Sequence, residues 1–250
     1  MKHYGVREQA SGQSGATVVF AQVQSTALTG ELNCICSTFH DELIVLADGA
    51  IDYEHGSVAA HIAADTAVWG YRHIRQRPYY WNIKHKLLDR IFHTVNLTLW
   101  QKHREQGFER GVSSALSVAL IGSQSVWIGS MGTNPVYLYR DGLLDDVTRR
   151  AGKINIAQNS LHPNGLGVQR FGVHPAIVKE RMLQGDILLL LSDAVAQSVS
   201  EDVIRSACEN SGSTQESMTT SLRHMVDCIW PTGVTSSVSI GMVLKPRIPE

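Results

Sequence analysis

The chain has 250 residues, long enough for one large domain or two small ones, and its 43% hydrophobic and 18% charged content suits a globular protein with a sizeable core. Its 22 basic residues balance 23 acidic ones, which gives no electrostatic reason to expect nucleic acid or a membrane surface as a partner. No apolar run approaches the roughly 20 residues that span a bilayer, and the start MKHYGVREQASG lacks the apolar stretch of a secretory signal, so a cytoplasmic protein is expected.

Residues 1–15 are rich in Gly, Ser and Gln, with Arg7 as their one arginine. Residues 17–24 and 33–39 read as strands with a turn at 28–31, and a third strand follows at 43–47; together they are expected to open an antiparallel sheet. Cys34 and Cys36, with one residue between them, are read as pointing to opposite faces of their strand. With Cys208 and Cys228 they match no common zinc spacing, so buried free thiols are expected.

The chain is organised around LIVLADGAIDYEHGSVAA, residues 43–60. The apolar run Leu43, Ile44, Val45, Leu46 fits a strand covered on both faces. It ends in Ala47-Asp48-Gly49, an acid beside a glycine, where the backbone can turn sharply and approach an ion. Asp48 is there either as a turn cap or as an oxygen ligand for a divalent metal. From Gly56 to Ala60 the small residues suit a helix packed closely on a sheet.

Residues 58–77 read as the first long helix, with Val58, Ile62, Trp69 and Ile74 as its apolar set, and Pro78-Tyr79-Tyr80 breaks it. Residues 84–106 give a clearer helix, because Leu87, Leu88, Ile91, Phe92, Val95, Leu99 and Trp100 recur at helical spacing. Two long helices with a short link imply an antiparallel pair laid on a sheet. Arg72, His73, Arg75, Arg77, Tyr79, Tyr80, Trp81 and Lys84 gather at that link, as a solvated helix end or as a phosphate- or partner-binding patch. Strands return at 114–121, 125–130 and 135–140, with turn signals at Gly122-Ser123 and Asp141-Gly142. Residues 150–175 are loop-like; 186–192 is a second buried strand that ends at an acid, Asp193. Helices at 199–209 and 215–228 precede a last strand in which Val238, Ile240, Met242 and Leu244 alternate. No repeat or linker divides the chain, so residues 1–250 are read as a single layered α+β domain.

Three stretches carry a family resemblance. Ala47-Asp48-Gly49-Ala50-Ile51-Asp52-Tyr53-Glu54-His55-Gly56, the segment from Gly132 through Thr133 and Asn134 to Gly142, and the segment from Gly185-Asp186 to Ser192-Asp193-Ala194 resemble, in order and spacing, motifs of the metal-dependent (PPM-type) serine/threonine phosphatases of type 2C. The resemblance covers nearly the whole chain and implies a four-layer αββα sandwich, two antiparallel sheets flanked by helix pairs. It also implies a chemistry, in which two Mn or Mg ions between the sheets bridge a water that attacks phosphoserine or phosphothreonine.

The resemblance assigns residues one by one. Asp48 matches the bridging aspartate, Gly49 the glycine that lends its carbonyl, Asp193 the aspartate of the family's Ser-Asp-Gly element, and Arg7 the arginine that grips phosphate. Other positions depart from the family pattern: Ser236 stands for an acid on the final strand, Thr133 for the acid of the Gly-Asp-Ser-Arg strand, Tyr53 for a histidine, and no acids follow Arg7-Glu8-Gln9. Asp52 and Glu54 are nearby acids that could supply oxygen ligands instead. The expectation is therefore a phosphatase-like protein with lost or weakened catalysis, holding one Mn or Mg ion weakly or none, and binding a phosphoprotein or a regulatory partner of a signalling or secretion pathway. The alternative is an active Mn- or Mg-dependent phosphoprotein phosphatase with an altered metal site.

Overall fold

Two strands with unbroken apolar runs set the layers. In β4 (Leu43–Gly49), Leu43, Val45 and Ala47 turn to one side and Ile44 and Leu46 to the other, and each set is buried in a different cluster. In β10 (Ile187–Leu191), Ile187, Leu189 and Leu191 oppose Leu188 and Leu190 in the same way. A strand of period two buried on both faces must lie in a middle layer. The computed structural model describes residues 5–9, 16–23, 33–50, 55–81, 83–107, 112–150, 165–212, 214–229 and 237–245.

Around β10 forms a six-stranded antiparallel sheet in the order β1 (Gly5–Gln9), β2 (Thr17–Val23), β11 (Val238–Leu244), β10, β7 (Val136–Arg140), β8 (Leu143–Asp146). Around β4 forms a five-stranded antiparallel sheet in the order β3 (Cys34–Phe39), β4, β5 (Ser114–Ile121), β6 (Ser125–Met131), β9 (Ala176–Arg181). The inner faces meet through Phe20, Cys36, Ile44, Leu46, Ile128, Leu188, Leu190 and Val243. The helices α1 (Gly56–Ile74) and α3 (Lys84–Gln106), with the short α2 (Pro78–Trp81) between them, cover the outer face of the five-stranded sheet. A single turn, α4 (Val147–Arg150), follows β8. The outer face of the six-stranded sheet is covered by α5 (Asp193–Ser198), α6 (Glu201–Glu209) and α7 (Gln215–Ile229). The result is the αββα order that the sequence implied. Among the described residues no helix is long and apolar enough to cross a membrane.

Several local expectations need correction. β2 and β3 do not join one sheet: β2 pairs with β1 and β11, while β3 pairs with β4 in the other layer. Adjacent strands in sequence suggested a hairpin, but the chain crosses between sheets there. β1, within the Gly/Ser/Gln-rich start, and the short, partly exposed β8 and β9 carried too little apolar alternation to be read. Cys34 and Cys36 share a face, because residues two apart in a strand do; both are buried between the sheets and all four cysteines are free. Trp69 is 52% exposed and stacks on His73, with ring centroids 4.6 Å apart. The buried stripe of α1 is made of small residues instead, Ala59, Ala60, Ala63, Ala64, Ala67 and Gly70, then Tyr71 and Ile74. Small side chains let α1 lie close to the sheet and to α3, as at Gly70, where an added Cβ would sit 3.5 Å from Ile91 Cγ1.

Two polar clamps fix the frame. Asp186, 2% exposed, accepts from Arg140 Nε at 2.9 Å, Arg140 Nη2 at 2.6 Å and Leu183 N at 2.6 Å, tying β7 to the start of β10. Buried Asn96 of α3 donates to the carbonyls of Gln169 and Arg170 at 2.8 and 3.2 Å and accepts from Gly167 N at 2.8 Å, which pins the loop at 165–172 against the helix.

The tightest approach is between Gly49 and Gly56: a Cβ on Gly49 would lie 1.8 Å from the Gly56 carbonyl oxygen, a backbone atom that cannot swing away. Gly49→Ala is therefore expected to cost roughly 3 kcal/mol or more, above most small overpacking effects, as read from chemical denaturation of the variant beside the parent chain.

Candidate functional site

The inner layer is apolar along most of its length and polar at one end. On β4 the inward set runs Ile44, Leu46, Asp48, so the alternation that buries the isoleucine also aims the carboxylate of Asp48 into the gap between the sheets. On the facing sheet β10 ends at Leu191, Ser192 takes the N-cap position of α5 without a side-chain cap bond, and Asp193 is the first residue of that helix. The two strand ends meet: Asp193 N donates to Asp48 Oδ2 at 3.2 Å. The Asp193 carboxylate in turn accepts from Gln197 Nε2 at 2.7 Å. Gly49 N donates to Asn33 O at 2.8 Å, and Ser114 Oγ donates to Asp48 O at 3.1 Å, so the backbone that presents Asp48 is held on both sides.

Beneath the two acids lies a set of small polar groups that sequence reasoning did not assign to the site. Ser192 N donates to Ser239 O at 3.0 Å, Ser239 N donates to Ser192 Oγ at 3.2 Å, and Ser239 Oγ donates to Cys34 O at 3.1 Å. Cys34 is the cross-strand partner of Asp48, and the Ser239 and Ser192 hydroxyls lie beside its thiol. Burial pushes the Cys34 thiol well up, and the neighbouring Asp48 charge pushes it further, while the two hydroxyls pull it down; the group is a neutral thiol. The available signal was the strand parity: residues 34, 36, 46 and 48 pair across β3 and β4 and share one face.

Burial pushes the Asp48 carboxyl up to about 7, the N–H of Asp193 pulls it down, and the Asp193 charge pushes it up again. The remaining sequence-predicted residues are placed less fully. Arg7 lies on β1 opposite Phe20, in the same sheet as β10, with its side chain outside the described residues. Asp52, Tyr53, Glu54 and Ser236 also lie outside the described residues. Thr133 is exposed in the turn before β7. Of the helix histidines, His61 and His73 each contact the carbonyl four residues back, at 2.9 and 2.8 Å, His93 lies 3.8 Å from Asp89, and the His85 ring lies 6.1 Å from that of Trp127 on β6.

Two divalent cations in a protein cage need several converging anionic oxygens. Among the described residues the available donors are Asp48, Asp193 and the Gly49 carbonyl, and no group of three or more His, Cys, Asp or Glu side chains could hold a metal ion. One Asp48 oxygen is already engaged by the Asp193 N–H. The described residues alone supply fewer oxygens than two cations take, and the candidate acids Asp52 and Glu54 lie outside them.

No protein-family model matches the chain, and no curated protein matches it in sequence. Solved structures do. The Mycobacterium tuberculosis serine/threonine phosphatase PstP/Ppp is 18% identical, with 93% of this chain and 99% of that chain covered and a TM-score of 0.73. PppA of Pseudomonas aeruginosa, described as a key regulatory component of T6SS, is 16% identical over 92% of this chain and 97% of that one, at a TM-score of 0.74. The serine/threonine phosphatase Stp1 of Staphylococcus aureus is 16% identical over 98% of this chain and 99% of that one, at 0.75. The chain has the type 2C phosphatase fold. The sandwich of this phosphatase fold extends over almost its whole length, as the sequence resemblance implied, and the catalytic domain of PstP has been solved with 2 manganese ions.

Burial gives the chain of this phosphatase fold a pH signature at Asp48. Its folded-state carboxyl titrates near 7 against about 3.9 when unfolded, so between these values the folded chain holds a proton that the unfolded chain has released, and stability falls as pH rises through that window. Asp48→Asn is expected to remove this slope and to raise the stability of the chelator-stripped protein at pH 8 by about 1–3 kcal/mol. Denaturation midpoints of both proteins at pH 5, 6, 7 and 8 check it; parallel pH profiles would contradict the assignment.

Proposed function

We propose that the chain is a pseudophosphatase, a type 2C phosphatase frame with lost or weakened catalysis that acts by binding a phosphoprotein or a regulatory protein. The observation that carries this reading is the donor set between the sheets: two aspartates and one carbonyl among the described residues, with serine hydroxyls and a neutral thiol filling the space behind them. In sequence, Ser236 stands where the family pattern has an acid. A site of this kind holds at most one hydrated Mg²⁺ or Mn²⁺ weakly, because such an ion keeps several waters and takes few protein ligands.

Arg7 is the proposed phosphate reader, since a guanidinium grips phosphate oxygens in a bidentate way. A cytoplasmic signalling or secretion pathway is the proposed setting, and the T6SS role described for PppA supports it by analogy alone.

Calorimetric titration of the chelator-stripped chain with Mn²⁺ and Mg²⁺ is expected to give no heat or one weak site of roughly millimolar affinity. Assays with p-nitrophenyl phosphate and a phosphoserine peptide in Mn²⁺ are expected to show no turnover above background. Two tightly bound ions, together with hydrolysis that Asp48→Asn abolishes, would establish instead an active enzyme that uses Asp48, Gly49, Asp193 and Asp52 or Glu54. Binding of the phosphopeptide is expected to weaken by roughly tenfold or more in Arg7→Ala, as loss of a charge-assisted pair would produce.

A further inference from the structure

At the end of the five-stranded sheet opposite Asp48 lies a cavity of about 600 Å³, lined among others by Glu42, Tyr71, Arg75, Lys84, Ser125 and Trp127. Glu42 stands just before β4 and Asp48 near its end, so the cavity is about 20 Å from the aspartate pair at roughly 3.3 Å per strand residue. We propose that this cavity binds a small anionic ligand bearing a flat ring, of which a mononucleotide is the simplest form. The proposal stands apart from the reading of the Asp48 end.

The charges in the cavity do not balance. Glu42 is its acid, and a single oxygen of it is engaged twice: Tyr71 Oη donates to Glu42 Oε2 at 2.9 Å, and the Arg75 guanidinium pairs with the same atom. Arg75 also lies over the Tyr71 ring, 4.9 Å from its centroid, so the trio is a closed unit that anchors the end of α1 to the start of β4. Lys84 is left over. It is half-buried in the wall, and among the described residues no carboxylate comes within ion-pair distance of it. Burial pushes its ammonium down and the Arg75 charge pushes it further, against an upward pull from Glu42, whose carboxylate is already taken up by Tyr71 and Arg75.

The surroundings are positive as well. Trp127 and Ser125 pair across strands with Lys179 and Arg181 of β9, both exposed, and Lys179 Nζ lies 5.5 Å from the centre of the Trp127 ring. Glu180, between them in sequence, faces the other way by strand alternation and is occupied by Arg150 at 2.6 Å. Lys84 also opens α3, a helix whose N-cap is Ile83, with no side-chain cap and no acid in its first turn. Its exposed N–H end adds positive potential at the same wall. Arg75 and Lys84 thus line a space containing one acid, Lys179 and Arg181 stand on the neighbouring strand, and Trp127, Leu120 and Ile121 supply an apolar side.

Each half of the ligand follows from these walls. An anion supplies Lys84 with an ion-pair partner, which no carboxylate of the described residues does, and a desolvated ammonium gains more from it than an exposed one. A flat ring matches the apolar side of the wall that Trp127, Leu120 and Ile121 form. The volume lies within the range of roughly 300–1,000 Å³ typical of small-molecule sites. The basic and aromatic residues that the sequence gathers at the α1–α3 link divide accordingly: Arg75 and Lys84 enter the cavity, while Trp69 and Tyr79 remain on the outer surface.

The test is calorimetric titration of the full chain, without added metal and at low salt, using AMP, adenosine and inorganic phosphate as probes. AMP is expected to bind, with adenosine and phosphate each weaker by roughly tenfold or more. Lys84→Gln and Trp127→Leu are each expected to weaken AMP by roughly tenfold, and Glu42→Gln to strengthen it several-fold by removing the opposing charge. Should Trp127→Leu not fold, Lys179→Gln on the exposed rim is expected to weaken AMP in its place. No heat with millimolar AMP overturns the proposal, as does AMP binding indifferent to Lys84→Gln. Phosphate binding as tightly as AMP overturns the ring half of it, and loss of AMP binding in Asp48→Asn puts the ligand at the other end of the sheet and overturns it entirely.

Discussion

The structure depends on the face-to-face packing of two sheets through strands that are buried on both sides. β4 and β10 have no solvent face, so each inward and outward position is filled by an apolar residue until the strand runs out. Slipping β4 by one residue would exchange its two faces, moving Asp48 out of the gap and under α1. The register that keeps leucines and isoleucines dry is thereby the same constraint that aims a carboxylate between the sheets. The second acid arrives by the same route, at the point where β10 gives way to α5.

The two ends of the five-stranded sheet have opposite electrostatic character. At one end, Asp48 sits in a low-dielectric gap beside Asp193, and a neutral thiol and two serines offer it no positive charge. At the other, cations outnumber the acid and one lysine is held partly away from water. Burial moves the two groups in opposite directions on the pH scale for one reason: in each case it disfavours the charged form. In a protein whose net formal charge is only -1, this segregation gives each end a local field that the overall composition conceals.

Much of this was legible in the residues. The unbroken apolar runs at 43–46 and 187–191 identified the doubly covered strands, and the seven apolar positions from Leu87 to Trp100 identified α3 to the residue. Asp48 and Asp193 could be paired because family motifs bracket both, although 145 positions separate them. What stayed hidden has physical causes. β8 and β9 are short or half-exposed and show weak period-two contrast. The division of β2 and β3 between sheets is a matter of long-range pairing, with β2 bonded to a strand more than 200 positions away, and no local pattern encodes that. α1 misled through Trp69 because a helix that must lie close to its sheet uses alanine for its buried face and leaves the large ring outside. Cys34 was overlooked because the pleat was read with the wrong parity; with the correct one it falls beside Asp48.

The cysteines also bear on how the protein opens. Cys34 and Cys36 lie between the sheets, Cys208 lies under the α6–α7 layer, and Cys228 is the one of the four that is partly exposed. A thiol reagent reaches the first pair only when the two sheets part, whereas it reaches Cys208 when the helical layer lifts from the six-stranded sheet. These are different excursions from the native state, with different free energies. The unaltered chain therefore carries internal reporters that separate the loosening of one outer layer from the breathing of the sandwich as a whole.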